Sequence, residues 1–184
     1  EAPQKDHNYL ITVDVARGLG NDYSAFIVFD ITNFPYKAVA KYRNNEIKPM
    51  LFPSIIDDIG KAYNKAFILC EVNDIGDQVA SILNYDLEYD NLLMCSQRGR
   101  AGQVVGAGFS GKRSQLGVRT TAAVKKLGCS NLKTLLEDDK ILVIDYDIIS
   151  ELTTFSQKHN SFEAEEGCND CLLYTSDAAD DDAC

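Results

Sequence analysis

The sequence predicts a single α/β domain: a mixed sheet that opens with an antiparallel three-strand meander and carries helices on both faces. Three observations predict it. Three β-rich segments succeed one another early in the chain with connections shorter than the roughly dozen residues a parallel crossover needs. Beyond them, stretches with helical spacing alternate with short apolar runs. Finally, 184 residues of which 45% are hydrophobic, with only 4 prolines, suffice for one core and do not read as disordered or fibrous.

Each element has its own justification. Tyr9–Val15 (YLITVDV) reads as a strand ending beside an acid, and Gly18, Gly20 and Asn21 break it. Ser24–Ile31 and Ala38–Arg43 are the next strands, with a turn at Asn33-Phe-Pro35. Pro49 is expected to open a helix reaching Tyr63, its apolar stripe formed by Leu51, Ile55, Ile56, Ile59 and Ala62. Ala66–Val72 (AFILCEV) is apolar almost throughout, as a buried central strand should be. A helix over Asp74–Leu83 puts Ile75, Val79 and Ile82 in phase, and Asn91–Cys95 is a short strand. Gly99–Gly117 reads as a glycine-rich basic loop and Thr120–Leu136 as a basic helix broken or bent at Gly128. Lys140–Ile144 is an edge segment that runs into an amphipathic helix with Ile148, Ile149, Leu152 and Phe155.

The domain is expected to span residues 1–170. Residues 171–184 (CLLYTSDAADDDAC) carry four acids and no base, and resemble translated sequencing adapter. They are expected to be non-native. A first residue of Glu rather than Met suggests a piece of a longer reading frame.

Charge is segregated. The net charge is −10, yet from Asn91 to Leu136 there are eight bases and no acid, which leaves −18 for the remainder. A basic segment on an acidic body is the pattern of a phosphate-backbone contact beside a separate acidic site. No basic-then-apolar leader opens the chain, and its apolar runs are far too short to span a membrane. The scattered cysteines suit a reduced compartment, and Cys168-x-x-Cys171 lacks the further ligands a zinc site needs.

The acids carry the chemistry. Asp14 follows the apolar run of the first strand, and an acid there is costly to bury without a partner or metal. The glycine turn in VDVARGLGND could return Asp22 to the same place. Glu71 repeats the pattern at the end of ILCEV. Acids on what should be adjacent strands favour a shared divalent cation, because hard cations take oxygen ligands. A third group, Glu163, Glu165, Glu166 and Asp170, could complete the site. Metals held by several carboxylates suit phosphodiester hydrolysis. Two glycine motifs do not redirect this reading. Gly106-Ala-Gly108-Phe-Ser-Gly111 lacks the acid a dinucleotide fold places downstream, and Arg113 stands where a P-loop needs a hydroxyl. Lys112 and Arg113 fit a loop that grips a nucleic-acid backbone, with Arg119 as a further contact. The histidines, His7 and His159, suggest no nucleophile–base pair.

The blocks YLITVDVARGLGNDYSAFIVFD, AFILCEVNDIG and SFEAEEGCND, in that order, closely resemble the C-terminal nuclease domain of the large terminase subunit of tailed bacteriophages. The resemblance runs from His7 to Asp170. It implies an RNase H-like fold and a metal-dependent endonuclease that cuts concatemeric viral DNA during genome packaging, with Mg2+ or Mn2+ in a two-metal site. It places metal ligands on Asp14, Glu71 and Asp170, with Asp22 accessory. It also implies double-stranded DNA as substrate, the cytoplasm of an infected bacterium as the setting, and an ATPase domain, a portal and a small terminase subunit as partners. The sequence departs from the family at Cys171, where a second acid and an apolar helix would follow. Loss of that helix would leave a DNA-binding module without catalysis, which is the rival reading. A resolvase on the same fold is another, and an actin- or hexokinase-like ATPase lacks the second hairpin it would need.

Overall fold

The computed structural model describes residues 1–20, 22–98, 102–106, 114–158 and 161–164. The meander is present as β1 (Tyr9–Asp14), β2 (Ser24–Asp30) and β3 (Tyr36–Asn44), antiparallel and in sequence order. Strand β4 (Phe67–Cys70) joins β1 in parallel, and the short β8 (Ile141–Leu142) joins β3 in parallel. The five form one sheet in the order β4-β1-β2-β3-β8.

Period-two alternation gives the sheet two faces. Tyr9, Ile11 and Val13 point to one face with Phe26, Val28, Ile68 and Cys70, all buried. Helix α1 (Phe52–Ala62) and helix α2 (Gly76–Ser81), with the π-helical turn Ile82–Asp86 after it, contribute Phe52, Ile56, Val79 and Leu83 to the same core. The rings of Phe26, Tyr42 and Phe52 stack at the centre, 5.2–6.2 Å apart. On the opposite face Ala25 and Ile27 pack against Ile148 of α4 (Tyr146–Thr154). Helices therefore cover both faces, as the sequence predicts.

Several elements differ from expectation. Helix α1 begins at Phe52, since a turn in which the Leu51 amide donates to the Lys48 carbonyl (2.9 Å) takes up Pro49. Leu51 is consequently exposed, and the buried stripe runs Phe52, Ile56, Gly60 and Tyr63. Strand β4 ends the sheet order instead of lying centrally. Its outer edge is nonetheless covered by isolated bridges from Ile68 to Leu92 and from Glu71 to Val118, so its apolar composition still matches its burial. Gly99–Gly117 is not simply a loop. β5 (Met94–Arg98), β6 (Gly102–Gly106) and β7 (Ser114–Leu116) form an antiparallel sheet in the order β6-β5-β7. Glycine at both ends of GQVVG weakens the strand signal there. Helix α3 (Ala122–Glu137) continues through Gly128. Phe155 belongs to β9 (Phe155–Lys158), which pairs with β10 (Ser161–Ala164) in a hairpin the acid-rich sequence did not predict. Among the described residues no helix is long and apolar enough to cross a membrane.

Candidate metal centre

Parallel pairing of β1 with β4 brings the two acids together. Val13 stands opposite Cys70, and the Glu71 amide donates to the Val13 carbonyl at 2.9 Å. One step further along each chain are Asp14 and Glu71, on the same face and at the same end of the sheet. Glu71 is only 5% exposed. Burial foremost, and then the negative charge of Asp14, push its carboxyl up to about 8, opposed by a hydrogen bond from the Thr120 side chain and the charge of Lys125. A buried carboxylate facing a second acid meets the demand of a divalent cation for hard oxygen ligands, so the donor set fits one. Among the described residues no cluster of three or more His, Cys, Asp or Glu side chains is placed to hold a metal. The pair supplies two carboxylates, and Asp170 falls outside the described residues.

The surroundings fix Glu71 from several directions. Asn73 donates through Nδ2 to Glu71 Oε1 (2.9 Å) and to the Thr120 carbonyl (3.1 Å). The Val118 amide donates to the Cys70 carbonyl (2.8 Å), and the Val72 amide to that of Val118 (2.9 Å). Two glycines let these backbones close in. A Cβ on Gly117, whose φ is +92°, would stand 2.2 Å from the Cys70 carbonyl oxygen, and one on Gly76 would stand 2.0 Å from that of Glu71. After β1, Arg17 reaches across to Asp74 at 2.8 Å and ties the loop behind Asp14 to the loop behind Glu71. At the start of β2, the buried Ser24 hydroxyl accepts from the Ala16 amide (3.0 Å) and braces the loop behind Asp14 from its far end.

The remaining sequence-predicted residues are dispersed. Asp22 is exposed in the connection from β1 to β2, two residues before β2 begins and so at the Asp14 end of the sheet. Arg119 is exposed beside Thr120. Lys112 and Arg113 lie outside the described residues, as do Glu165, Glu166, His159, Cys168 and Cys171. Glu163 is in β10. His7 bonds Asp30 at 2.6 Å, at the other end of β1 from Asp14. Cys70, Cys95 and Cys129 are free thiols, and burial pushes Cys70 up to about 12, a packing residue without nucleophilic character.

Residues 11–183 match the family described as the terminase RNaseH-like domain. The chain belongs to that family. Solved structures similar to this terminase RNaseH-like domain share its fold. The large terminase nuclease of the thermophilic phage G20c superimposes with a TM-score of 0.67 and 21% identity, over 93% of this chain and 80% of that one. The same nuclease with bound magnesium gives 0.69 at 20% identity, over 93% and 79%. The nuclease domain of the large terminase of Thermus phage P74-26 gives 0.65 at 21%, over 93% and 77%.

Within this terminase domain, the residues that sequence reasoning missed are Ser24, Asn73, Thr120 and Lys125. Ser24 and Asn73 are short polar residues flanking strands, where they ordinarily read as turn formers. Thr120 and Lys125 come to act on Glu71 because the Gly117–Val118 segment runs alongside β4, a long-range pairing with no local signature.

Proposed function

We propose that this domain is a metal-dependent DNA endonuclease that cuts concatemeric viral double-stranded DNA during genome packaging. The observation that carries the reading is the juxtaposition of Asp14 and Glu71 at the ends of adjacent parallel strands, with Glu71 buried. Asp14, Glu71 and Asp170 would hold the cations, Mg2+ or Mn2+ in a two-metal site, with Asp22 accessory. Divalent cations bound there supply Lewis acidity toward the phosphodiester and a water that ionises near neutral pH. The chain's own residues prepare the site. Asn73 and Thr120 orient Glu71, and the Arg17–Asp74 pair holds together the loops that flank the acids. Lys112, Arg113 and Arg119, in the acid-free stretch, grip the DNA backbone. In the infected bacterial cytoplasm, an ATPase domain, a portal and a small terminase subunit would feed DNA to the site.

Nicking of supercoiled plasmid by the chain, with Mg2+ or Mn2+ and against Asp14→Ala, tests the reading. Metal-dependent nicking that the variant loses supports it. A folded chain that binds DNA in a salt-dependent way but never cuts would instead be a binding module. Preference for branched over linear DNA would mark a resolvase.

A further inference from the structure

The residue that α3 withdraws most completely from water is a lysine. Lys125 is 5% exposed, while every leucine and valine of the helix keeps some contact with solvent. Burying an ammonium is costly unless negative charge meets it, so the location of that charge explains the residue. Two features of the chain locate it. First, α3 is capped by Thr121, whose hydroxyl accepts from the Val124 amide at 3.3 Å, immediately after Thr120, whose carbonyl accepts from the same Asn73 amide group that donates to Glu71 Oε1. The first turn of the helix is thereby anchored at the acid pair. Second, helical side chains lean toward the N-terminus of their helix, so a buried lysine one turn in is directed toward the end that Asn73 fastens to Glu71. Its charge acts on Glu71, the acid that also feels Asp14.

We infer that Lys125 is the resident counter-charge of the Asp14–Glu71 pair, a positioning residue that holds the metal-free centre together and opposes divalent cations, thereby setting how tightly the centre binds metal. The inference rests on the metal-centre reading above. A cation entering the centre gains the two carboxylates but is repelled by the ammonium beside them. The lysine thus favours release over permanent occupancy, and a centre loaded only at high cation concentration follows.

The test uses the full chain and Mn2+ alone, without DNA, with free Mn2+ read by electron paramagnetic resonance. Lys125→Met keeps the stem and removes the charge; Lys125→Arg keeps the charge. Lys125→Met should bind Mn2+ about tenfold more tightly, the lower end of what one neighbouring charge does to a site. Lys125→Arg should stay close to the parent. Unchanged or weaker binding by Lys125→Met would overturn the inference. Should that variant not fold, lysine labelled with 13C at Cε in the unaltered chain decides: the signal missing from Lys125→Arg must shift on Mg2+ addition, and a static signal would overturn the proposal. Asp14→Asn separates the two readings. If the parent's Mn2+ binding does not depend on Asp14, the metal centre and this inference fall together. If it does, and removing the Lys125 charge has no effect, only the inference falls.

Discussion

Ser24 is wholly buried, and its hydroxyl accepts from the Ala16 amide while also contacting that residue's carbonyl at 3.3 Å. The side chain thereby fixes the backbone two residues beyond Asp14. Ser24→Ala should cost about 1–3 kcal/mol, because the amide is left buried without its partner; urea unfolding monitored by circular dichroism measures it. A comparable check applies at Gly76, where an added Cβ would collide with backbone rather than with a side chain that can turn away. Gly76→Ala should therefore destabilise by about 2 kcal/mol or more and weaken metal binding in the fraction that folds. At this scale the acids were legible in the sequence, since Asp14 and Glu71 each adjoin an apolar run that gives a carboxylate no ordinary reason to be there. The supporting residues were not legible. What Asn73 and Thr120 do depends on a strand pairing made across more than forty residues, as their shared hydrogen bond with |i−j| of 47 records.

Between elements, α4 is tied to the meander by charge as well as by Ile148. Lys41 of β3 bonds Asp145 at 2.5 Å and also Asp147, and Arg43 lies 3.8 Å from Glu151. Partial burial works against the charge of Asp145, but bonds from Lys41 and from the Ile148 and Asp147 amides outweigh it and lower its carboxyl below the ordinary 3.8. The same pairing outweighs burial at Lys41 and raises its amine above 10.5. The sign follows from linkage. A depressed acid stabilises the fold above 3.8 and loses that contribution as pH falls through its folded value; a raised amine stabilises below 10.5 and loses its share as pH climbs through the folded value. Lys41→Met should flatten both arms of the stability profile and leave the neutral plateau lower, as thermal melts across pH would register. The elements most legible in sequence were β1 to β3, whose alternation and short turns permit only an antiparallel order. The expected strand at Asn91–Cys95 overlaps β5, whereas β6 and β7 were hidden because glycines and polar residues interrupt any alternation in the sequence there, and β9–β10 because its acids imitate a helix start.

At the scale of the whole molecule, the described residues hold a large core on one face of the sheet and a smaller cluster on the other, and the sequence carries a strongly uneven charge. Phe52, completely buried, sits where α1 meets the stacked rings of Phe26 and Tyr42. Phe52→Ala should cost about 3–5 kcal/mol, read as a lowered denaturant midpoint, and should abolish metal-induced stabilisation only insofar as the domain unfolds. The eight bases between Asn91 and Leu136 belong to a chain of net charge −10. DNA affinity should accordingly fall linearly on a log–log plot against salt, and Arg119→Ala should reduce that slope by about one phosphate contact, measured by fluorescence anisotropy.

The sheet β6-β5-β7 is rooted beside β4 and also packs on the body, with Cys95 buried and Leu116 against the main core. The Leu93 amide donates to the Ile68 carbonyl at 2.8 Å, and the Gly117 amide to the Leu93 carbonyl at 2.9 Å, so both roots are fastened to each other and to the strand leading to Glu71. Such a base transmits strain: whatever displaces the Leu93 and Gly117 roots pulls directly on the backbone that leads into Glu71, so the small sheet and the carboxylate move as one lever.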